Sequence, residues 1–299
     1  GNDGGGSIRI PAAMTGLVGI KPSRGRVTNG PLSDLVGDLV TQGPLARTVA
    51  DAAALLDVMA GYQVGDPYAA PAPRRGSFLA AARREPGRLR VGFYLASALD
   101  VPAPSDEVGA AVESTAALLS ELGHMVEPVD PPFGSWMSDQ FGVLWAAIAA
   151  LTPIDPGREH QLRPLTRHLR EVGRKLGGVE VAEVVSAIRV SARTELERCR
   201  EYDAILAPTL SRRPCRVGEL RKDDDPEADY RAQVEFSPFC SAYNITGQPA
   251  INVPLNWTED GLPLGVQLAG RFGDEETIIS LAAQLEQAAP WCGRHPSVW

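Results

Sequence analysis

Lysine is almost missing. Lys21, Lys175 and Lys222 are the three in 299 residues, so arginine supplies nearly all the positive charge. Chemistry that needs a lysine base therefore has a short list of candidates. Cysteine is scarce too. Cys199, Cys215, Cys240 and Cys292 are too few for a disulfide scaffold in a chain this long, and none pair at metal-ligand spacing. That pattern fits a reducing, cytoplasmic setting and calls for no metal and no cofactor. No signal peptide is visible, and no apolar run is long enough to cross a bilayer. The longest, residues 141–151, reads as a packed helix. An excess of positive charge is also lacking: the net charge is -8, which argues against nucleic acid or an anionic membrane as the main partner.

What is present fits a folded chain of one large or two ordinary domains, with 44% apolar residues to build a core. Residues 48–60 read as a helix, with Thr48 and Asp51 at capping-box spacing and Gly61 as the stop. Residues 65–88, rich in Pro, Gly, Ala and Arg, read as a long surface connection. A strand at 89–94, a helix from Ser105 or Asp106 to Leu122 and a strand at 125–129 form a crossover unit with parallel neighbours. Residues 136–200 read as mostly helical, ending in a surface helix at 179–199. Residues 204–207 suit a buried strand, and 223–229 a solvated acidic loop. Strands at 249–255 and 265–269, joined through Glu259-Asp260-Gly261, precede a helix at 274–289. Its stripe is Ile278, Leu281, Ala282 and Leu285. There is no internal repeat.

The chemistry concentrates at the start. In Gly4-Gly5-Gly6-Ser7-Ile8-Arg9-Ile10-Pro11 three glycines precede a serine. Amide attack needs a nucleophile and several donors already aimed at the oxygen that becomes an anion. Consecutive glycines let backbone N–H groups converge, and no side chain blocks the approach. Gly4, Gly5, Gly6 and Ser7 would supply four such groups. Asp3 and Arg9 could pair across the loop and brace it, with Ile8 and Ile10 anchoring the chain in the core. Flexible linkers share this composition, so the run alone is weak evidence.

The run GNDGGGSIRIPAAMTGLVGIKPSRGRV, residues 1–27, closely resembles the nucleophile segment of the amidase signature family. That family shares Asp-x-Gly-Gly-Ser-Ile-Arg-x-Pro followed by Gly-Leu-x-Gly-x-Lys-Pro. The likeness continues through residues 43–61, 244–255 and 261–286, in the family's order; residues 71–200 are unspecific. The resemblance implies an α/β fold, an α/β/α sandwich around a large mixed sheet. It also implies a serine acyl-enzyme with a Ser–Ser–Lys triad, in which a second serine in a cis peptide relays the proton to lysine. Carried over, Ser7 is the nucleophile, and the amides of Gly4, Gly5, Gly6 and Ser7 form the oxyanion hole. The family's relay serine and lysine lie upstream of the nucleophile. The expectation is therefore a C-terminal portion of an amidase domain, lacking that segment and nearly inert alone.

The expected partner is a small-molecule amide, cleaved to acid plus ammonia. A homo-oligomer is compatible with this reading. Lys21 falls in the family's Lys-Pro block and is expected to be structural; Lys175 and Lys222 fall in polar segments. His124, His160, His168 and His295 are scattered. Asn244, Thr246 and Gln248 either approach the acyl pocket or serve turn chemistry. Trp136, Phe141 and Trp145 pack in the core or line a substrate channel, the core being favoured by helical spacing. Two alternatives stand beside the amidase. One is the glutamyl-tRNA amidotransferase A-type subunit, against which Ser23-Arg24-Gly25 and residues 37–42 depart from that group's pattern. The other is an inactive truncated protein of the same fold.

Overall fold

Strands covered on both faces are dominated by apolar residues, and the central strands here are, with Asn252 and Gln267 as buried exceptions. The computed structural model describes residues 1–31, 36–131 and 133–296. In chain order the elements begin with β1 (Asn2–Asp3), α1 (Arg9–Thr15), β2 (Val18–Lys21), β3 (Thr41–Gln42), β4 (Leu45–Ala46), α2 (Val49–Met59) and α3 (Phe78–Ala81). They continue with β5 (Arg90–Phe93), α4 (Asp106–Glu121), β6 (Met125–Pro128), α5 (Trp136–Leu151), α6 (Pro164–Lys175) and α7 (Gly178–Arg198). The last are β7 (Ala204–Pro208), α8 (Pro226–Phe236), α9 (Ser241–Thr246), β8 (Ala250–Trp257), β9 (Pro263–Gly270) and α10 (Glu275–Ala288).

Seven strands form one sheet in the order β4-β2-β8-β9-β7-β5-β6, and β1 pairs with β3 separately. β5 runs parallel to β6, as the crossover unit predicts, and also to β7, while the other pairs in the sheet are antiparallel. The sheet is mixed and flanked by helices, the α/β architecture that the resemblance implies. Period-two alternation sorts side chains between its faces. Ala204, Leu206, Ile251, Val253, Val266 and Leu268 face α2, α4 and α10. Ala250 and Ala269 face the layer of α5, α7 and α9. The Ile278, Leu281, Ala282 and Leu285 stripe of α10 is fully buried. Thr48 Oγ1 accepts the Asp51 N–H at 3.1 Å, as the capping spacing predicts. Among the described residues no helix is long and apolar enough to cross a membrane.

Two segments differ from expectation. Residues 65–88 are not all surface connection: α3 caps on Ser77 and buries Phe78 and Ala81. Residues 223–229 are not a solvated loop throughout, because α8 starts at Pro226 and buries Asp229. Asp229 accepts hydrogen bonds from Arg163 (2.9 Å), the Lys222 N–H (3.0 Å) and Gln233 (2.5 Å). Acid-rich composition could not distinguish a helix's capping turn from a loop, since both favour aspartate. The pattern also gave no warning of α1 or β2 directly after Ser7.

Candidate active site

The glycine bend is held at both ends. β1 fixes its entry by pairing Asp3 with Thr41 of β3, and α1 takes up the chain from Arg9. Between them Gly6 adopts φ +130°, a region in which L side chains are strained, and an added Cβ would meet Cys240 Cβ at 2.8 Å. Asp3 ties the bend together. Its carboxylate accepts the N–H groups of Gly6 (2.7 Å) and Ile8 (3.2 Å). It also accepts Arg9 Nε and Nη2, each at 3.0 Å. Arg9 continues inward, donating to Gln267 Oε1 (3.0 Å) and Asn244 Oδ1 (2.7 Å). Asn244 returns its amide to Asp3 O (2.8 Å) and Leu39 O (3.0 Å).

The expected Asp3–Arg9 brace is thus a four-residue network, and both charged partners are 0% exposed. Burial alone would push the Asp3 carboxyl up. The adjacent Arg9 charge and its hydrogen bonds, with help from Lys21 and Asn244, outweigh that and hold it at about 2. Gln267 carried no expected role. Its signal was a polar residue inside a buried strand, at 0% exposure.

One of the four expected oxyanion donors is engaged elsewhere. The Gly6 N–H is bound to the Asp3 carboxylate, because φ +130° turns that peptide toward the brace. The N–H groups of Gly4, Gly5 and Ser7 have no acceptor among the described residues. Ser7 itself is exposed. It lies in a cavity of about 140 Å³ shared with Gly5, Ile10, Phe141, Trp145, Tyr230 and neighbouring side chains. Phe141 and Trp145 stack at 5.5 Å between ring centroids. Their edges lie where a Cβ on Gly5 or Gly4 would fall, 2.8 and 2.9 Å away, so the glycines admit the rings. These two aromatics line the cavity on one side and pack against the core cluster of Leu144, Ile148 and Ile188 on the other, so both readings hold for them.

The remaining candidates lie elsewhere. Lys21 is fully buried and donates to Pro22 O at 3.0 Å. Burial, followed by the nearby Arg9 charge, pulls its ammonium down to about 7. Lys175 and Lys222 are exposed. His124 bonds Gln284 Oε1 (2.8 Å) and accepts the Leu89 N–H (3.2 Å); His168 lines a larger cleft with Trp136. Thr246 and Gln248 bond each other at 3.0 Å around Gly247 (φ +77°), the turn role rather than a pocket role. Among the described residues no hydrogen bond reaches the Ser7 hydroxyl, and no cluster of His, Cys, Asp or Glu is arranged to hold a metal.

The family described as Amidase matches residues 1–279. The chain belongs to the amidase signature family. Its curated relatives include the 6-aminohexanoate-cyclic-dimer hydrolase of Pseudomonas sp. (strain NK87), 36% identical over all of this chain and 64% of that protein. A putative amidase of Synechocystis sp. is 36% identical over 96% of this chain and 55% of its own length. The amidase-family chain therefore spans less than two thirds of these relatives. The solved 6-aminohexanoate cyclic dimer hydrolase superposes with a TM-score of 0.90 at 30% identity, covering 100% of this chain and 65% of that one. A bacterial aryl acylamidase superposes with a TM-score of 0.80 at 26% identity, over 99% and 64% of the two chains.

Proposed function

We propose that this chain carries the acyl-forming half of an amidase, with Ser7 as nucleophile. Ser7 Oγ attacks the amide carbon, the C–O bond forms and the carbonyl oxygen takes the negative charge. The N–H groups of Gly4, Gly5 and Ser7 receive that charge. Collapse expels the amine or ammonia with a proton, and water then releases the acid from the acyl-serine. One observation carries this reading: an exposed serine at the mouth of a cavity, beside backbone donors that have no acceptor among the described residues. A lost oxyanion donor costs about 10² to 10³ in rate, so a buried brace that leaves three donors free serves the chemistry directly.

Attack also needs an acceptor for the serine proton, worth on the order of 10² to 10⁴ in rate. Among the described residues no group hydrogen-bonds to Ser7 Oγ. We therefore propose that residues 1–299 by themselves hydrolyse amides slowly, and that the serine–lysine relay implied by the family resemblance completes the site. The test is labelling with a fluorophosphonate probe, followed by peptide mapping. Labelling at Ser7, abolished in Ser7→Ala, is the expected result. Labelling at another serine, or labelling that persists in Ser7→Ala, overturns the assignment.

A further inference from the structure

The cavity at Ser7 has a neighbour on each of two sides. It shares Leu99, Ser138, Tyr230 and Val234 with a cleft of about 660 Å³ walled by α5, α6 and α8. It shares Ile10, Gln233 and Ser237 with a second space of about 520 Å³ between α1 and the 215–221 loop. A primary carboxamide has a substituent on the carbonyl side only, and its ammonia leaving group needs no second chamber. Two adjoining spaces leave room for a group on the nitrogen as well.

The two chambers differ in charge. The first is lined by Asp100, Asp139, Glu227 and Glu235 against Arg231. Among the described residues none of these makes a salt bridge, so their charge is free to act on a ligand. The second is lined by Arg163, Arg216 and Arg221 against Asp229. Arg163 is engaged with Asp229 and Asp223, and Arg221 pairs with Asp223. Among the described residues lining this chamber, that leaves the exposed Arg216 guanidinium as the free cation. Clefts lined by one sign of charge concentrate ligands of the opposite sign.

Resting on Ser7 as the nucleophile, we propose that the substrate is an N-substituted amide with opposite charges at its two ends. Its ammonium lies in the α5–α6–α8 cleft and its carboxylate toward Arg216. Asp139, Glu227 and Arg216 then determine specificity.

The test is calorimetric titration of the protein carrying Ser7→Ala, so that turnover does not intervene. The ligands are a linear amide of two ω-amino acids, its N-acetylated form and its methyl ester. The doubly charged amide binds tightest, and capping either end weakens it about fivefold, the range of one exposed charge pair. Asp139→Asn with Glu227→Gln removes the penalty of N-acetylation alone, and Arg216→Gln removes that of esterification alone. Both penalties collapse near 1 M salt, where the Debye length falls to about 3 Å. Equal affinity for all three ligands, no measurable binding of the doubly charged one, or penalties that the variants leave unmoved overturns the proposal. Fluorophosphonate labelling of Ser7 in the parent protein is independent of these charges, so failure of specificity and failure of the nucleophile are read separately.

Discussion

The Asp3–Arg9 network behind the glycine bend and the wall formed by α5, α6 and α8 are built in opposite ways. In the network every charge is fully buried and each polar atom has its partner. In the wall Asp139, Glu227 and Arg231 are exposed and make no ion pair among the described residues. A buried ion pair cannot lose one member without stranding the other in low dielectric, whereas water replaces a lost surface partner. The bend is thereby fixed in shape, and the wall is free to vary in charge without endangering the fold.

Removing a buried partner should produce the largest effect. Arg9→Met leaves the Asp3 carboxylate buried without its cation and should cost about 3–5 kcal/mol in urea unfolding. If it costs under about 1 kcal/mol, the network is no more rigid than the wall. Next comes a test in pH. Lys21 has its ammonium at about 7 in the fold against 10.5 when free. Between those values the unfolded chain binds a proton that the folded chain does not, so this group makes stability rise with pH across that window. Lys21→Met should flatten the rise and stabilise the protein at pH 7. Asp3 acts at the other end. Its folded value of about 2 lies below its free value of 3.8, so its contribution is present above that free value and is lost as pH falls toward 2. Acid unfolding of the parent followed by circular dichroism should show that loss, and Asp3→Asn should not.

The bend itself should respond to its aromatic cover. Gly5→Ala places a methyl 2.8 Å from Phe141 Cζ and should cost about 1–3 kcal/mol by overpacking, with slower labelling of Ser7. Adding Phe141→Ala should restore the labelling rate; if it does not, the ring does not shape the bend. The smallest effect belongs to the wall: Arg231→Gln, at an exposed residue without an ion pair among the described residues, should change stability by no more than about 0.5 kcal/mol.

Where chemistry forces residue types into a fixed order, the sequence was legible. The glycine bend, Ser7, the Asp3–Arg9 brace and the helix and strand periodicities of residues 48–60, 89–129 and 249–289 could all be read before any coordinates. α1 and β2 were not, since short elements next to glycine lack enough period to register. Asn244 and Gln267 could not be placed because their partners lie more than two hundred residues away in the chain. The diversion of the Gly6 amide depends on one dihedral, which glycine leaves open in sequence.

Local order thus determined which atoms could do the proposed chemistry, because Ser7 and the glycine N–H groups are neighbours in the chain. Only the fold decided what they face. The cavity around Ser7 is assembled from the bend, α5, α8 and the loop at Leu99, and the charge of the adjoining cleft arises from side chains that meet only when α5, α8 and that loop pack.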